Sequence, residues 1–351
     1  MAQDRRQFTH ALLRDLHALG AMLAEGRIES GVRRIGAEQE MFLVDRNWRP
    51  APVALELLDA VDDPHFVTEV GAFNLEVNLD PQHFSGDCLA RVEAQLNSLL
   101  DRLRVVAGAR GIEVLLAGIL PTIRKSDLGL SNMVDSERYR QLNEAISNLR
   151  GHEVDFYIKG IDELRMRHDS VMVEACNASF QVHLQVDPAT FANQYNIAQV
   201  LAGPVLACAT NSPLLFGRRL WAETRIAVFQ QSVDTRRPSH HLRDLEPRVT
   251  FGDRWLQSSI LELYREDISR FSPLLPDVVV PDPFDALGRG EAPDLAALRL
   301  HTGTAARLNE RIRPSHSAAL ATSSIVLGPE GRMRFSMRRC GISPEVVCEI
   351  P

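Results

Sequence analysis

The stretch that decides the fold of this chain is residues 171–188, which read VMVEACNASFQVHLQVDP. From residue 179 to residue 187 polar and apolar side chains alternate strictly, which is the period of a half-buried β-strand. The polar face carries amides and an imidazole, from Gln181, His183 and Gln185, where a merely solvated face usually carries Lys, Glu and Thr. We therefore predict a central strand whose polar face serves a function.

Two earlier segments repeat this pattern. Residues 34–44 read RIGAEQEMFLV, which sets Glu38 and Glu40 two apart and hence on one face of a strand. Residues 73–81 read FNLEVNLDP, with Glu76 and three other polar residues on one face and apolar residues on the other. Three such strands predict one sheet, whose apolar face packs on helices and whose polar face forms the floor of a polar cleft.

Composition narrows the class of protein. A chain of 351 residues holds one large domain or two ordinary ones, and 45% hydrophobic and 24% charged residues are typical of soluble globular proteins. The net charge of -7 and the lack of a Lys/Arg-rich run argue against nucleic-acid binding.

The five scattered cysteines form no Cys-x-x-Cys, which predicts a reduced, cytoplasmic chain without structural zinc. The N-terminus is too charged for a signal peptide, and the most apolar run, residues 198–217, is broken by Gly and Pro, which argues against a membrane span.

Periodicity predicts the remaining elements. Predicted helices cover residues 5–25, 55–61, 88–107, 136–149, 221–233 and 253–271, and a further helix starts at Asp187-Pro188, an N-cap followed by a first-turn proline. The strand that carries Glu76 is predicted over residues 68–79, and one further strand, in the centre of the sheet, over 112–119. The rest of 122–170 is irregular, and the proline-rich residues 272–294 form a loop. No period can be assigned after Asn309.

Three carboxylates are the sharpest chemical feature. Hard cations such as Mg²⁺ take oxygen ligands, and phosphoryl transfer uses carboxylates to hold metal ions that bridge nucleotide phosphates. Glu38 and Glu40 on one strand, facing Glu76 on a neighbour, provide such ligands. The alternative is a solvated outer face, which is the commoner fate of carboxylates. The companion strands favour the metal site because they place Asn and Gln, not Lys, beside the carboxylates.

Other candidates are weaker when taken alone. His183 is either a structural histidine or a metal or nucleotide contact, and Arg225 is either a surface ion pair or a clamp for phosphate or carboxylate. Cys176 is better explained as a buried apolar cysteine than as a nucleophile. The sequence contains no P-loop, no Gly-x-Gly-x-x-Gly and no Gly-x-Ser-x-Gly motif.

Taken together, the motifs resemble those of the type 2 glutamate–cysteine ligases, in the same order along the chain. They are GAEQE (36–40), NLEVNLDP (74–81), SFQVHLQV (179–186), ATNSPLLFG (209–217), ETRIAVFQQ (223–231) and HTGT (301–304). These enzymes belong to the carboxylate–amine ligase family of the glutamine-synthetase-like superfamily. The resemblance covers about residues 30 to 309.

The resemblance implies an α+β fold, a mainly antiparallel, saddle-shaped sheet with helices packed on one face, and ATP and Mg²⁺ bound over the concave side. It implies an ATP-dependent ligase of glutathione biosynthesis. In that reaction the γ-carboxylate of glutamate becomes an acyl phosphate, which the amine of an amino acid, cysteine favoured, then attacks. The implied partners are therefore small molecules, and a homo-oligomer is compatible with the sequence.

The resemblance also assigns metal ligands by position. Glu38, Glu40 and Glu76 match the metal-binding glutamates of the family, and Glu76 is also carried over as catalytic. His183 belongs to a Gln-x-His strand that lies near the metal in the family.

Nucleotide and substrate contacts are carried over in the same way. Gln181 and His183 match the strand near the nucleotide, and His301 matches the histidine of an HNGT-like segment in which this chain has Thr302 for Asn. Arg225 matches a catalytic arginine associated with substrate or phosphate.

The part after Asn309 departs from the pattern. We expect one catalytic domain over residues 1–309 and an unassigned tail over 310–351, because a strand like Leu-Arg-Ile-Glu-x-Arg is missing after HTGT. Two origins of the tail are open, a shifted reading frame and a truncated gene. Residues 322–326 can be encoded so that a shifted frame reads Ile-Glu-His-Arg-Ala, which resembles the missing segment.

Three functions therefore stay open. The first is an active ligase, for cysteine or for another amine. The second is an inactive relative that persists as a binding or regulatory protein, for which the missing segment is the argument. The third, an unrelated metalloprotein with Glu and His ligands, has less support because no His-x-x-x-His or similar cluster occurs.

Overall fold

The protein combines helices with a mostly antiparallel sheet, as predicted. The computed structural model describes residues 2–151, 153–236, 247–252, 254–274 and 280–302, together with the backbone of 306–307, 310–314 and 318–322. The described helices are α1 (Ala2–Ala24), α2 (Ala54–Val61), α3 (Cys88–Gly108), α4 (Glu137–Arg150), α5 (Phe191–Cys208), α6 (Arg225–Ser232), α7 (Leu261–Arg270), α8 (Pro283–Gly288) and α9 (Ala296–Thr302). Among these described helices, none has the length and apolar character that crossing a membrane requires.

The described strands are mostly short. They are β1 (Arg34–Val44), β2 (Phe66–Thr68), β3 (Asn74–Asn78), β4 (Gln82–His83), β5 (Glu113–Leu115), β6 (Val154–Lys159), β7 (Glu163–His168), β8 (Phe180–Gln185), β9 (Leu214–Leu215), β10 (Arg218–Arg219), β11 (Val249–Thr250), β12 (Ala306–Arg307), β13 (Glu310–Pro314) and β14 (Ala318–Thr322). The main sheet runs β11-β12-β13-β14-β8-β1-β3-β2, and β4 and β5 pair with the ends of β1. All of its described pairs are antiparallel except β11–β12.

Strand β1 lies at the centre of the functional part of this sheet. Glu38 lies opposite Asn78 of β3 and opposite Gln181 of β8, and Glu40 lies opposite Glu76. Residues directly opposite each other in antiparallel strands point to the same side. The three polar faces predicted from the sequence are therefore one continuous face.

The other side of these strands is apolar and covered by helices. Met41 of β1, Leu75 and Val77 of β3 and Phe180 of β8 belong to one buried cluster with the inner face of α3. Burying this face is the main favourable term that holds the sheet in place. The predicted packing of the apolar face on helices is confirmed.

The predicted strand over residues 68–79 is in fact a hairpin. β2 ends at Thr68 and β3 starts at Asn74, and the two strands pair with Val67 opposite Glu76. The turn includes Gly71, whose carbonyl accepts a hydrogen bond from the backbone N–H of Asn74 at 2.9 Å. A side chain at Gly71 would collide with the side chains of Asn74 and Ala175, so the turn requires glycine.

Other sequence-based expectations need correction. Of the strand predicted over 112–119, only β5 forms, and it pairs with the end of β1. The stretch predicted as irregular contains the hairpin β6–β7. The predicted proline-rich loop contains α8, which starts where the side chain of Asp282 accepts a hydrogen bond from the backbone N–H of Phe284. The predicted helix over 253–271 is confirmed only from Leu261.

Two strands lie beyond Asn309, where the sequence showed no period. β13 and β14 pair with each other, and β14 pairs with β8, with Ala321 opposite His183. β14 reads AALAT, and such a run of small residues carries no alternation, so its strand conformation depends on the partner strand. The division of the chain at Asn309 stays a prediction. Sequencing the gene beyond its stop codon tests it.

Candidate functional site

The centre of the candidate site is a cluster of three carboxylates, Glu40, Glu69 and Glu76. Each offers one oxygen, and these oxygens all lie within 4.8 Å of one another. Glu76 is buried, and Glu40 and Glu69 are half-buried. Like charges this close are unfavourable together unless a proton or a cation compensates them. Oxygen donors from carboxylates are the ligands that Mg²⁺ accepts, so the residues present fit this ion.

Neighbouring donors orient two of these carboxylates. The Asn78 side-chain amide donates to Glu76 Oε1 at 2.8 Å. The backbone N–H of Ser179 donates to Glu40 Oε2 at 2.8 Å, and the Gln181 amide donates to Glu40 Oε1 at 3.2 Å. The polar face of β8 therefore fixes the direction in which the Glu40 carboxylate points.

Glu69 was not anticipated from the sequence. It follows β2, and the hairpin returns it to the same side as Glu76, whereas a single strand over 68–79 would separate the two residues along its length. The Gly71 turn is the signal that could have revealed it. The structure thus brings Glu69 together with Glu40 and Glu76, and the role of Glu38 as a metal ligand stays a prediction.

Glu38 lies beside His183. The carboxylate is buried, the imidazole is half-buried, and His183 Nε2 lies 3.2 Å from Glu38 Oε1. Gln181 lies opposite Glu38 in the register and bonds to Glu40, so it bridges this pair and the carboxylate cluster. The predicted grouping of Glu38, Gln181 and His183 on one polar face is present.

Arg225 is held in a buried ion pair. Its Nε and Nη2 both donate to the Glu223 carboxylate, the latter at 2.8 Å, and its Nη1 donates to the carbonyl of Ala178 at 2.9 Å. Arg225 and Glu223 are both about 6% exposed. Ala178 directly precedes the polar face of β8. In this structure Arg225 therefore helps to position the start of β8 through Ala178, and its predicted role as a clamp for phosphate or carboxylate stays a prediction.

His301 lies in the helical part of the protein. It is buried on α9, and burial lowers the pKa of its imidazole to about 4, while a hydrogen bond with the backbone of Asp267 on α7 acts in the opposite sense. The side chain is consequently neutral at pH 7. A neutral imidazole offers no positive charge to a phosphate.

A cavity of about 480 Å³ opens beside the carboxylate cluster. It lies between the β2–β3 hairpin, α4, α6 and the 3₁₀ segment Val171–Cys176. Its charged lining consists of Glu69, Glu76, Glu174 and Arg138. Its volume falls in the range of small-molecule sites, roughly 300–1,000 Å³. Arg138 and Glu174 gave no signal in the sequence, since neither belongs to an alternating strand.

Comparison with known proteins gives a match to one family. The model of Glutamate-cysteine ligase family 2 (GCS2) matches residues 34–346, a range that extends beyond Asn309. No curated protein matches the chain.

Two solved structures are similar to it at low identity. A glutamate–cysteine ligase from Francisella tularensis in complex with AMP shares 10% identity, with 85% of this chain and 62% of that chain covered and a TM-score of 0.40. A bifunctional glutathione synthetase from Pasteurella multocida shares 11% identity, with 58% and 26% covered and a TM-score of 0.34. The chain spans less than two thirds of the length of either.

Proposed function

The chain belongs to Glutamate-cysteine ligase family 2, and from that premise we propose that it is an ATP- and Mg²⁺-dependent carboxylate–amine ligase. It joins the γ-carboxylate of glutamate to the amine of an amino acid, with cysteine favoured. The observation that carries the proposal is the cluster of Glu40, Glu69 and Glu76 at the edge of a cavity large enough for an amino acid.

The roles of the side chains follow from this arrangement. The three carboxylates would hold Mg²⁺, which when bound neutralises charge on the phosphates of ATP. Asn78 and Gln181 keep carboxylate oxygens aimed at that position through the hydrogen bonds described above. The terminal phosphoryl group of ATP passes to the glutamate γ-carboxylate as an acyl phosphate. The amine then displaces phosphate, loses a proton and forms the amide.

The proposal extends to the nucleotide contacts and to the wider fold. Gln181 and His183 adjoin the cluster on the same face, which supports a contact with ATP. The nucleotide role of His301, the substrate role of Arg225 and the saddle shape of a glutamine-synthetase-like sheet rest on family resemblance. The described cysteines Cys88, Cys176 and Cys208 are free thiols, which supports a reducing, cytoplasmic setting.

The test is phosphate release from Mg-ATP with glutamate across a panel of amines. We expect phosphate release that depends on both glutamate and an amine, with one dipeptide formed for each phosphate released. If labelled glutamate gives no dipeptide with cysteine but couples to another amine, the ligase reaction stands and the cysteine preference is wrong. No amine-dependent release with any member of the panel would reject the ligase.

A second candidate function is favoured by one observation. The family-like pattern lacks its Leu-Arg-Ile-Glu-x-Arg segment after HTGT, and Thr302 stands where the family has Asn. A member that binds nucleotide without turnover, as a binding or regulatory protein, would have this appearance. ATP binding measured by calorimetry, in the absence of amine-dependent phosphate release, would favour this candidate over the ligase.

A further inference from the structure

We propose that an exposed apolar patch beside α5 is the surface through which two copies of this chain associate as a two-fold symmetric dimer. The patch consists of five side chains, Ile197, Val200 and Leu201 of α5 and Phe251 and Trp255 after β11. None of the five lines the cavity beside the carboxylate cluster. The inference therefore goes beyond the proposed function and does not depend on it.

Helix α5 has more apolar side chains than its core face uses. Phe191 and Tyr195 belong to a buried cluster with α1 and α7. Residues three or four apart in a helix share one face, so Ile197, Val200 and Leu201 form one stripe. These three side chains are 45%, 62% and 53% exposed. An apolar stripe of the helix is therefore left in contact with water.

Two aromatic side chains widen this stripe into a patch. The Asn196 amide donates to the carbonyl of Leu256 at 2.9 Å and accepts from the backbone N–H of the same residue at 2.9 Å. The Gln199 amide donates to the carbonyl of Phe251 at 3.0 Å. These bonds hold Phe251 and Trp255 alongside α5, and the two side chains are 41% and 56% exposed. A surface that is already ordered loses little conformational entropy when a partner binds.

The absence of charge from α5 favours a second copy as the partner. The 18 residues of the helix, FANQYNIAQVLAGPVLAC, include no Asp, Glu, Lys, Arg or His. A two-fold interface places a surface against its own copy, so a charge near the axis would face a like charge. An uncharged helix avoids this repulsion. It also offers no opposite charge that would select an acidic or a basic partner.

The size of the patch fits the centre of a dimer interface. At these exposures the five side chains present roughly 400 Å² of apolar surface. A standard interface covers roughly 800 Å² of each partner, and a little over half of that area is apolar. The patch thus provides most of the apolar share of such an interface from one continuous surface.

The test measures the mass of the full chain in solution as a function of concentration. Sedimentation from about 1 to about 100 µM should show a monomer–dimer equilibrium, within the affinity range of such interfaces. Val200→Lys and Trp255→Lys should each raise the dissociation constant about hundredfold, because a two-fold interface contains each substitution twice and each copy costs about tenfold. Val105→Lys is the matched control, since Val105 is 74% exposed on α3 and lies outside the patch. It should dimerise like the parent.

A second readout locates the interface. In a variant with Trp48→Phe and Trp221→Phe, Trp255 is the remaining tryptophan. Its emission should shift to shorter wavelength as the protein concentration rises, because association removes the indole from water. The shift and the change in mass should follow the same dissociation constant.

Several outcomes would overturn the proposal. One is a monomer at every concentration, and another is a dimer that persists in both lysine variants while the Trp255 emission stays unchanged. Association that is lost at about 0.5 M salt, where exposed charges are screened, would assign the contact to charged surfaces instead. A monomer whose Trp255 emission shifts on phosphatidylcholine vesicles would assign the patch to a lipid surface. Thermal unfolding at the lowest concentration should be the same for every variant and the parent, which separates loss of the dimer from loss of the fold.

Discussion

The cluster of Glu40, Glu69 and Glu76 is unusual because three carboxylates lie so close together. Glu76 points from the buried middle of β3, and Glu40 faces it from β1 with its oxygens held by Ser179 and Gln181. Glu69 completes the group from the turn between β2 and β3. Without a bound cation these charges repel one another. Removing one carboxylate should therefore lower the electrostatic repulsion in the folded state, although it also removes a candidate metal ligand.

The first prediction concerns Glu76→Ala. We expect Mg²⁺-dependent ATP turnover to be abolished while the protein stays folded, because the change removes a metal ligand from a polar face and leaves the helix-packed core intact. Turnover and the midpoint of thermal unfolding are the measurements. Glu113→Ala, an exposed carboxylate on β5 of the same sheet, is the matched control. A loss of several kcal/mol, as for a truncated core residue, would show that Glu76 is structural instead.

The second prediction concerns Glu69, which the sequence pattern did not single out. Glu69→Ala should raise the Mg²⁺ concentration needed for half-maximal turnover at least about tenfold, the cost of one charged contact of about 1.4 kcal/mol or more. The measurement is a Mg²⁺ titration of ATP turnover. An unchanged titration curve would remove Glu69 from the metal site and return the assignment to Glu38, Glu40 and Glu76.

The third prediction separates a structural Arg225 from a catalytic one. Arg225→Met leaves the Glu223 carboxylate buried without its partner, so we expect a loss of roughly 3–5 kcal/mol in the free energy of unfolding. Adding Glu223→Gln should recover much of that loss. Denaturant unfolding measures both. If Arg225→Met unfolds like the parent but fails in ATP turnover, the guanidinium acts on substrate after all.

At the scale of elements, alternation predicted the strands whose two faces differ and failed where it was absent or interrupted. β8 was predictable because polar and apolar residues alternate strictly along it, and β1 because Glu38 and Glu40 share one face opposite Ala37 and Met41. The β2–β3 hairpin was not, since Glu69 to Phe73 continue a plausible strand pattern and only the crowding around Gly71 forces the turn. Asp187-Pro188 was correctly predicted as a helix start, and the same signal at Asp282-Pro283 was overlooked. β14 carried no signal at all, because its conformation depends on β8.

The fourth prediction tests the turn at Gly71. A methyl group there would lie 2.9 Å from Ala175 Cβ and would also meet Asn74, so Gly71→Ala should cost about 1–3 kcal/mol in the free energy of unfolding. It should also weaken Mg²⁺-dependent turnover, because the turn carries Glu69. Gly108→Ala, at the end of α3 with open space around the new atom, should be neutral or stabilising by up to about 1 kcal/mol. Equal behaviour of the two variants would refute the role of the turn.

At the scale of the whole molecule, contacts between distant parts of the chain join its layers. Asp15 of α1 accepts a hydrogen bond from the backbone N–H of Leu298 of α9 at 3.1 Å, across 283 residues of sequence. The Asp15 side chain is buried, and burial raises its pKa from 3.8 to about 6, with the nearby carboxylates of Asp294 and Asp282 adding to the effect. The contact thus fixes the two helices together at the cost of a buried charge near pH 7.

The fifth prediction follows from the sign of that shift. Between pH 3.8 and about 6 the folded state binds a proton at Asp15 that the unfolded state releases, so the parent gains stability as the pH falls through this window. Asp15→Asn keeps an oxygen for Leu298 and carries no charge. It should exceed the parent by about 3 kcal/mol above pH 7, and the difference should vanish below pH 4. Denaturant unfolding at several pH values measures it, with Asp59→Asn, on the exposed side of α2, as control. A difference that does not change with pH would contradict the assignment.

The position of β1 in the sheet has a consequence for biosynthesis. The ribosome makes β1 before β8, which covers one edge of β1 at residues 35–39 beside β5 and whose Gln181 donates to Glu40 across 141 residues. At about 5–20 residues per second, β1 waits roughly 7–28 s after its own synthesis before that partner emerges. During this interval an apolar strand with an unpaired edge is open to association with other nascent chains or to capture by a chaperone. The strand that carries Glu40 is therefore also a segment of the nascent chain that needs protection until β8 has been made.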